Sequence, residues 1–280
     1  MQTTMPCSPP PELLDLIVDH LDDELATLQA CCIVSKSWIS RTRKHLFAHI
    51  RFGPPMRSVE LWKQAFPDPS GSLAPYTRTF SFLELYPTTL VNPDIVGWIH
   101  SFDRVENLIL GFIRHSRGVS LVQLHGFSPA IRSVSLAYST VPFSRIFDFI
   151  SSFPLLENLA LIMISPHTSD TGKWISPSTS PKFTGSLRIT GAAPSIIRWL
   201  CGLPGGLRFR EINSSCYDED KTSMTDLVSR RSKASESLTI ASYHFGMFVV
   251  ASATIRHLTA VDERKRAAFT RLLNGHGAQI

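Results

Sequence analysis

Leu156-Glu157-Asn158-Leu159-Ala160-Leu161 is the stretch whose leucine spacing decides how most of this 280-residue chain is read. An apolar or hydroxyl-bearing position, two residues, an apolar position, one residue and a closing position recur. The copies are Thr77-Phe80-Phe82, Val105-Leu108-Leu110, Ile131-Val134-Leu136, Leu156-Leu159-Leu161, Thr184-Leu187-Ile189, Phe209-Ile212-Ser214 and Ser235-Leu238-Ile240. Their middle positions lie 28, 26, 25, 28, 25 and 26 residues apart. Apolar residues two apart share one face of a strand. A period of this length held over seven units is the pattern of stacked repeats, in which each unit buries its apolar face only against its neighbours.

The segments between the strand cores carry helical spacing. Val91, Ile95, Trp98, Ile99 and Phe102 recur at three and four, opened by Asn92-Pro93 as cap and first-turn proline, and Phe143, Ile146, Phe147, Ile150 and Phe153 do the same. Ile196, Ile197, Leu200 and Cys201 follow Pro194, and Met224, Leu227 and Val228 make a shorter set. Strand, turn and helix alternate, which predicts an α/β fold with short parallel strands. A flat parallel sheet would give the same alternation, but the short cores and steady period favour a stacked solenoid.

Upstream, Pro9 to Phe47 reads PPPELLDLIVDHLDDELATLQACCIVSKSWISRTRKHLF. Ser8 and the prolines open a first helix bearing Leu13, Leu14, Ile17, Val18 and Leu21. Asp22 and Asp23 are placed to cap a second, with Leu25, Leu28, Cys32 and Val34, and Ser35 to Ser37 mark the break before a third with Trp38, Ile39, Leu46 and Phe47. Three helices in so few residues cannot hide much apolar surface against one another, so this unit is expected to be docked on something. The plain alternative is an N-terminal helical cap on the body.

Pro10, Glu12, Leu13, Leu14, Ile17, His20, Leu21, Leu28, Val34, Ser35, Lys36 and Trp38 match the pattern Pro-x-Glu, two aliphatics, Ile, aromatic or His, Leu, then a Leu-containing helix ending Val-Ser-Lys-x-Trp. The stretch resembles the F-box, with Pro9 standing where that family has Leu. The resemblance implies docking on a Skp-type adaptor, and through it on a cullin-RING ubiquitin ligase, while the remaining chain selects a protein substrate. It implies adaptor contacts drawn from Pro10, Leu13, Leu14, Ile17, Leu21, Leu28, Val34 and Trp38, some of which must serve the unit's own core. The repeats are similar to the irregular leucine-rich repeats found behind F-box segments. They depart from them where a polar ladder is replaced by Ile113, Ser139, Ile164, Ala192, Tyr217 and Tyr243, which predicts less regular turns.

The expected organisation is an F-box-like helical module over 8–50, a linker with a short helix over 51–72, a leucine-rich-repeat-like solenoid over 73–245 and an atypical C-terminal segment with a basic helix over 246–280. In the linker, Val59, Leu61, Trp62 and Phe66 suit a packed helix over 58–66. Residues 165–184, dense in Ser, Thr, Pro and Gly, read as a loop. Its Ser-Pro pairs at 165, 176 and 180 are candidate phosphorylation sites, and Trp174 a candidate anchor, against a bland reading as solvated linker. Phe245 to Ile255 is an apolar run closing the stack as a strand or helix.

Composition sets the remaining expectations. Apolar residues make up 43% and charged ones 18%, which is globular composition. Five cysteines without a CxxC indicate neither a disulfide framework nor a zinc site. Neither a signal peptide nor an apolar run long enough to span a bilayer is present, so a soluble protein of the cytoplasm or nucleus, without membrane attachment, is expected. Of the formal charge of +5, residues 246–280 carry +3, from Arg256, Arg264, Lys265, Arg266 and Arg271 against Asp262 and Glu263. The body is nearly balanced, so nucleic acid is not an expected partner, and the basic run reads as a solvated helix face or an import patch. No nucleophile elbow, zinc-protease motif, phosphate loop or dinucleotide fingerprint occurs, and neither catalysis nor a cofactor or metal is expected.

Overall fold

The computed structural model describes residues 10–22, 24–53, 59–83, 92–112, 121–140, 143–165, 185–191, 209–217, 237–244 and 247–256. Its helices are α1 (Pro11–Asp19), α2 (Leu25–Val34), α3 (Ile39–Leu46), α4 (Val59–Ala65), α5 (Pro93–His100) and α6 (Phe143–Ser151), with 3-10 turns at Lys36–Trp38 and Leu121–Leu124. The strands are β1 (His49–Phe52), β2 (Thr79–Phe82), β3 (Asn107–Gly111), β4 (Ser133–Ala137), β5 (Asn158–Ile162), β6 (Ser186–Thr190), β7 (Glu211–Tyr217), β8 (Ser237–His244) and β9 (Met247–Arg256). All nine form one sheet in chain order. Each pairing from β1 to β8 is parallel, and β9 returns antiparallel on β8. The protein is therefore α/β, built on a parallel sheet.

The register follows the period in the sequence. Phe80, Leu108, Val134, Leu159, Leu187, Ile212 and Leu238 are partners across successive strands, and Phe82, Leu110, Leu136, Leu161, Ile189, Ser214 and Ile240 form a second row. The first row is fully buried from Phe80 to Ile212. Because side chains alternate along a strand, the residues between these rows line the opposite face. Thr77 can open its copy of the pattern while wholly buried because its hydroxyl donates to the Leu73 carbonyl at 3.0 Å.

An eighth copy precedes the seven. Ile50 and Phe52 pair with Phe80 and Phe82 and are buried with them, and Phe47 holds the opening position. This strand crosses residue 50, where the sequence reading ends the helical module, and places Arg51 and Phe52 in the sheet rather than in a linker. The linker helix is α4, whose Trp62, together with Phe66 just beyond it, packs against the core of the sheet. Phe47 meets both rings edge-on, at 6.5 and 5.8 Å between centroids. The Trp98 indole N–H on α5 donates to the Phe66 carbonyl at 2.8 Å. Asn92 caps α5 as expected, accepting from the Asp94 amide at 3.0 Å, and Ile95, Trp98 and Ile99 are buried. The core is richest in aromatics at this end, where Phe80 stacks on Phe127 and meets Phe52 and Phe102; further along it is mainly aliphatic, joined by Phe149, Phe153 and Phe209.

Strands β2 to β5 are each entered through a shared carbonyl. Ala48 O accepts from the Arg78 and Thr79 amides, both at 2.9 Å. Arg78 O accepts from Glu106 and Asn107, Glu106 O from Arg132 and Ser133, and Arg132 O from Glu157 and Asn158. The side chains at these junctions alternate in charge, pairing Arg78 with Glu106 and Arg132 with Glu157. About half exposed, such pairs contribute at most about 1 kcal/mol each, so they favour register more than stability. The next junction is Gly185, where an added Cβ would enter the van der Waals envelope of the Glu157 carbonyl.

Strands β3, β4 and β5 are left through Phe112, Tyr138 and Met163, whose φ angles are 51, 49 and 50°, and β6 through Gly191 at 54°. The turns, expected to be less regular, instead repeat one another here, each taking a left-handed residue at the equivalent position. For a side chain larger than glycine this conformation costs roughly 1–2 kcal/mol. Of the apolar run after Tyr243, the part from Met247 onward forms β9. The helices expected near 196–201, 224–228 and 262–274 and the loop over 166–184 lie outside the described residues.

Gly185→Ala is expected to destabilise the protein by about 2–3 kcal/mol in urea unfolding, because the obstacle is backbone and cannot rotate away. Gly111→Ala, whose new Cβ would meet Leu83 O at 3.4 Å, is expected to change stability by less than about 1 kcal/mol.

Candidate protein-docking surface

Helices α1 to α3 pack on one another through a small interior of their own. Val18, Leu28, Cys31 and Thr42 are buried, and none belongs to the apolar cluster of the sheet. Thr42 is wholly enclosed because its hydroxyl donates to the Trp38 carbonyl at 2.8 Å and lies 2.9 Å from Cys32 Sγ. Ser35 ends α2 in extended conformation and its hydroxyl accepts from the Ser37 amide at 3.3 Å, opening the turn that runs into α3. The break read at Ser35 to Ser37 is thus where the chain turns. The cap of α2 is not Asp22: Glu24 holds the N-cap position without a side-chain bond to the backbone. Ser8 and Asp23 lie outside the described residues.

One carboxylate ties α1 to α3. Asp19 accepts from Arg41 Nε at 2.6 Å and from Arg41 Nη2, and lies 2.7 Å from His45 Nε2. Hydrogen bonding from Arg41 first, and from His45 second, holds the Asp19 carboxyl well below the usual carboxylate range.

The expected contact residues divide by position. Pro10, Leu13, Ile17 and Val34 are exposed, Leu14, Leu21 and Trp38 are half-buried, and Leu28 is buried. Leu28 fills the interior between helices, so it packs the unit itself and presents no outer surface. Leu16, Leu25 and Ile33 join the exposed set, and Ile33, 87% exposed, is the most open large apolar residue named here. Leu13, Leu16 and Ile17 are three and four apart, so they form one outward stripe of α1. The signal for Leu25 and Ile33 was also in the sequence. Helix α2 reads LATLQACCIV with no charged residue, and a helix apolar on every side requires burial on every side. Here only Leu28 and Cys31 are enclosed.

Helices α1 and α2 therefore leave several large apolar side chains open to solvent. Burying one such side chain releases on the order of 1–2 kcal/mol, so several left in water together are costly. Among the described residues no three of His, Cys, Asp and Glu gather as metal ligands, and no helix is long and apolar enough to cross a membrane. Comparison with protein-family models and with curated proteins finds no match to this chain.

Two outcomes follow for this unit. Leu28→Ala is expected to cost about 2–4 kcal/mol of the helical unit's stability, read by loss of helical circular dichroism, whereas Ile33→Ser is expected to leave it within about 0.5 kcal/mol. For Asp19 the folded carboxyl titrates below its unfolded value near 3.9. Its tie is therefore fully present above about pH 4 and is lost as pH falls through the lowered folded value. Asp19→Asn is expected to weaken the unit at neutral pH and to flatten that acid transition in a pH titration of the helical signal.

Proposed function

We propose that this chain is a substrate-recognition subunit of a cullin-RING ubiquitin ligase: an F-box-like module docks a Skp-type adaptor, and a leucine-rich-repeat-like solenoid holds a protein substrate. The observation that carries the reading is the set of large apolar side chains left open on α1 and α2 of a helical unit with its own separate interior. The same stretch bears the Pro-x-Glu-Leu-Leu and Val-Ser-Lys-x-Trp elements that resemble the F-box. The contacts assigned to the adaptor are Pro10, Leu13, Ile17 and Val34, extended by Leu16, Leu25 and Ile33, with Leu14, Leu21 and Trp38 at the margin. The sheet supports the repeat reading through its chain-ordered parallel strands, whose register repeats the sequence period. The role is non-enzymatic, since ubiquitin transfer is performed by the other subunits.

Phe47 supplies the coupling such a subunit needs. It ends α3 and packs on Trp62 and Phe66 at the first strands, so the helical unit and the sheet meet through an aromatic contact rather than a free tether.

The double variant Leu13→Ala, Ile17→Ala is expected to abolish co-purification with a Skp-type adaptor, by at least about a hundredfold in affinity, while the melting temperature of the free protein is unchanged. Undiminished capture by that variant would leave the repeats as an interaction scaffold with no ligase role.

A further inference from the structure

The row of left-handed residues at the strand exits is the feature that the adaptor face leaves unused. Phe112, Tyr138 and Met163 each donate a backbone amide to the last residue of the next strand, at Ala137, Ile162 and Thr190, over 2.7 to 2.9 Å. They are neighbours one strand apart. Glycine would adopt this turn without strain, as Gly191 does one strand further on, yet three large side chains stand there, 47, 52 and 36% exposed. Phe112 and Tyr138 lie face to face, with centroids 5.0 Å apart and planes 8° from parallel. A bulky residue that is both strained and exposed marks its place as a candidate binding surface.

Charge on the adjoining face sets the chemistry of the partner. Arg51 on β1 and Arg188 on β6 lie on the outward face, both exposed, and among the described residues neither enters an ion pair. The charges at the strand entrances instead neutralise one another. The acidic residue at an outward position is Glu211, beyond β6, and it accepts from Asn213 Nδ2 at 3.1 Å. Strands lie about 4.8 Å apart and a helix advances about 5.4 Å per turn, whereas an extended segment repeats a side only every ~6.8 Å. A helix laid across the strand exits therefore meets Phe112, Tyr138 and Met163 with residues three to four apart. From Arg51 to Arg188 is five strand spacings, roughly 24 Å, the length of about sixteen helical residues.

We infer that the ridge Phe112–Tyr138–Met163 docks an amphipathic helical segment of a protein partner, apolar at three- to four-residue spacing and acidic toward both ends. The inference deepens the proposed function by giving the substrate-holding surface a place and a chemistry, and rests on it only for the partner being a ligase substrate.

The test is selection of sixteen-residue peptides from a random display library on the full chain, followed by affinity measurement of the selected peptides. Enrichment of acidic sequences with apolar residues at helical spacing is expected. The triple variant Phe112→Gly, Tyr138→Gly, Met163→Gly should bind them at least tenfold more weakly while melting no lower than the parent, since glycine relieves the strain. Arg188→Glu should shift the selected sequences toward basic residues. An empty selection, a preference for basic or uncharged peptides, or undiminished binding by the triple variant would overturn the inference. So would a concentration-dependent dimer in sedimentation that disappears in the triple variant, which would assign the ridge to a second copy. Adaptor capture by the triple variant is expected to be unchanged, so failure of the ridge and failure of the adaptor reading are told apart.

Discussion

Two rows of buried side chains, one running Ile50, Phe80, Leu108, Val134, Leu159, Leu187 and Ile212 and the other starting at Phe52 and Phe82, are the constraint on which the rest depends. Each unit contributes a strand of a few residues that could not stand alone, and hides its apolar pair only because the next unit sets the same pair beside it. At the entrances of β2 to β5 a shared carbonyl fixes that alignment from the backbone side, since one oxygen accepts two amides of the following unit. Once the rows are aligned, every position between and beyond them is repeated at the spacing of the strands. That is why single residues far apart in sequence become continuous features: an alternating Arg–Glu line at the entrances and a line of large apolar residues at the exits.

The rows were legible in the sequence because burial acts on them directly. A residue that must be apolar in every unit leaves a period, and the period gave the register from β2 to β8. The first strand escaped notice because α4 lengthens its unit, separating Ile50 from Phe80 by 30 residues, and because Phe47 also closes the helical stretch. The alternation Arg78, Glu106, Arg132, Glu157 was equally available, interrupted at Gly185 and resumed at Arg210, but charge carries meaning only once strand neighbours are known. The left-handed turns at Phe112, Tyr138 and Met163 were not legible, since nothing in the composition of those residues favours that conformation.

In the helical unit the existence of three helices was legible and the sorting of their faces was not. Helix α2 is apolar all round, so spacing alone could not separate Leu28, which faces the interior, from Ile33 and Val34, which face water. The stripe Leu13, Leu16 and Ile17 could be found by its spacing, yet spacing does not say whether a stripe faces its own chain or another. That distinction comes from the packing: Val18, Leu28, Cys31 and Thr42 already complete the unit's interior and leave the stripe outside.

The proposed docking of this face is tested most directly by hydrogen exchange on the intact chain, alone and with a Skp-type adaptor. The account predicts slowed exchange confined to residues 11–46, with the amides of β2 to β6 unchanged. Exchange in α1 and α2 that is identical with and without the adaptor would contradict it.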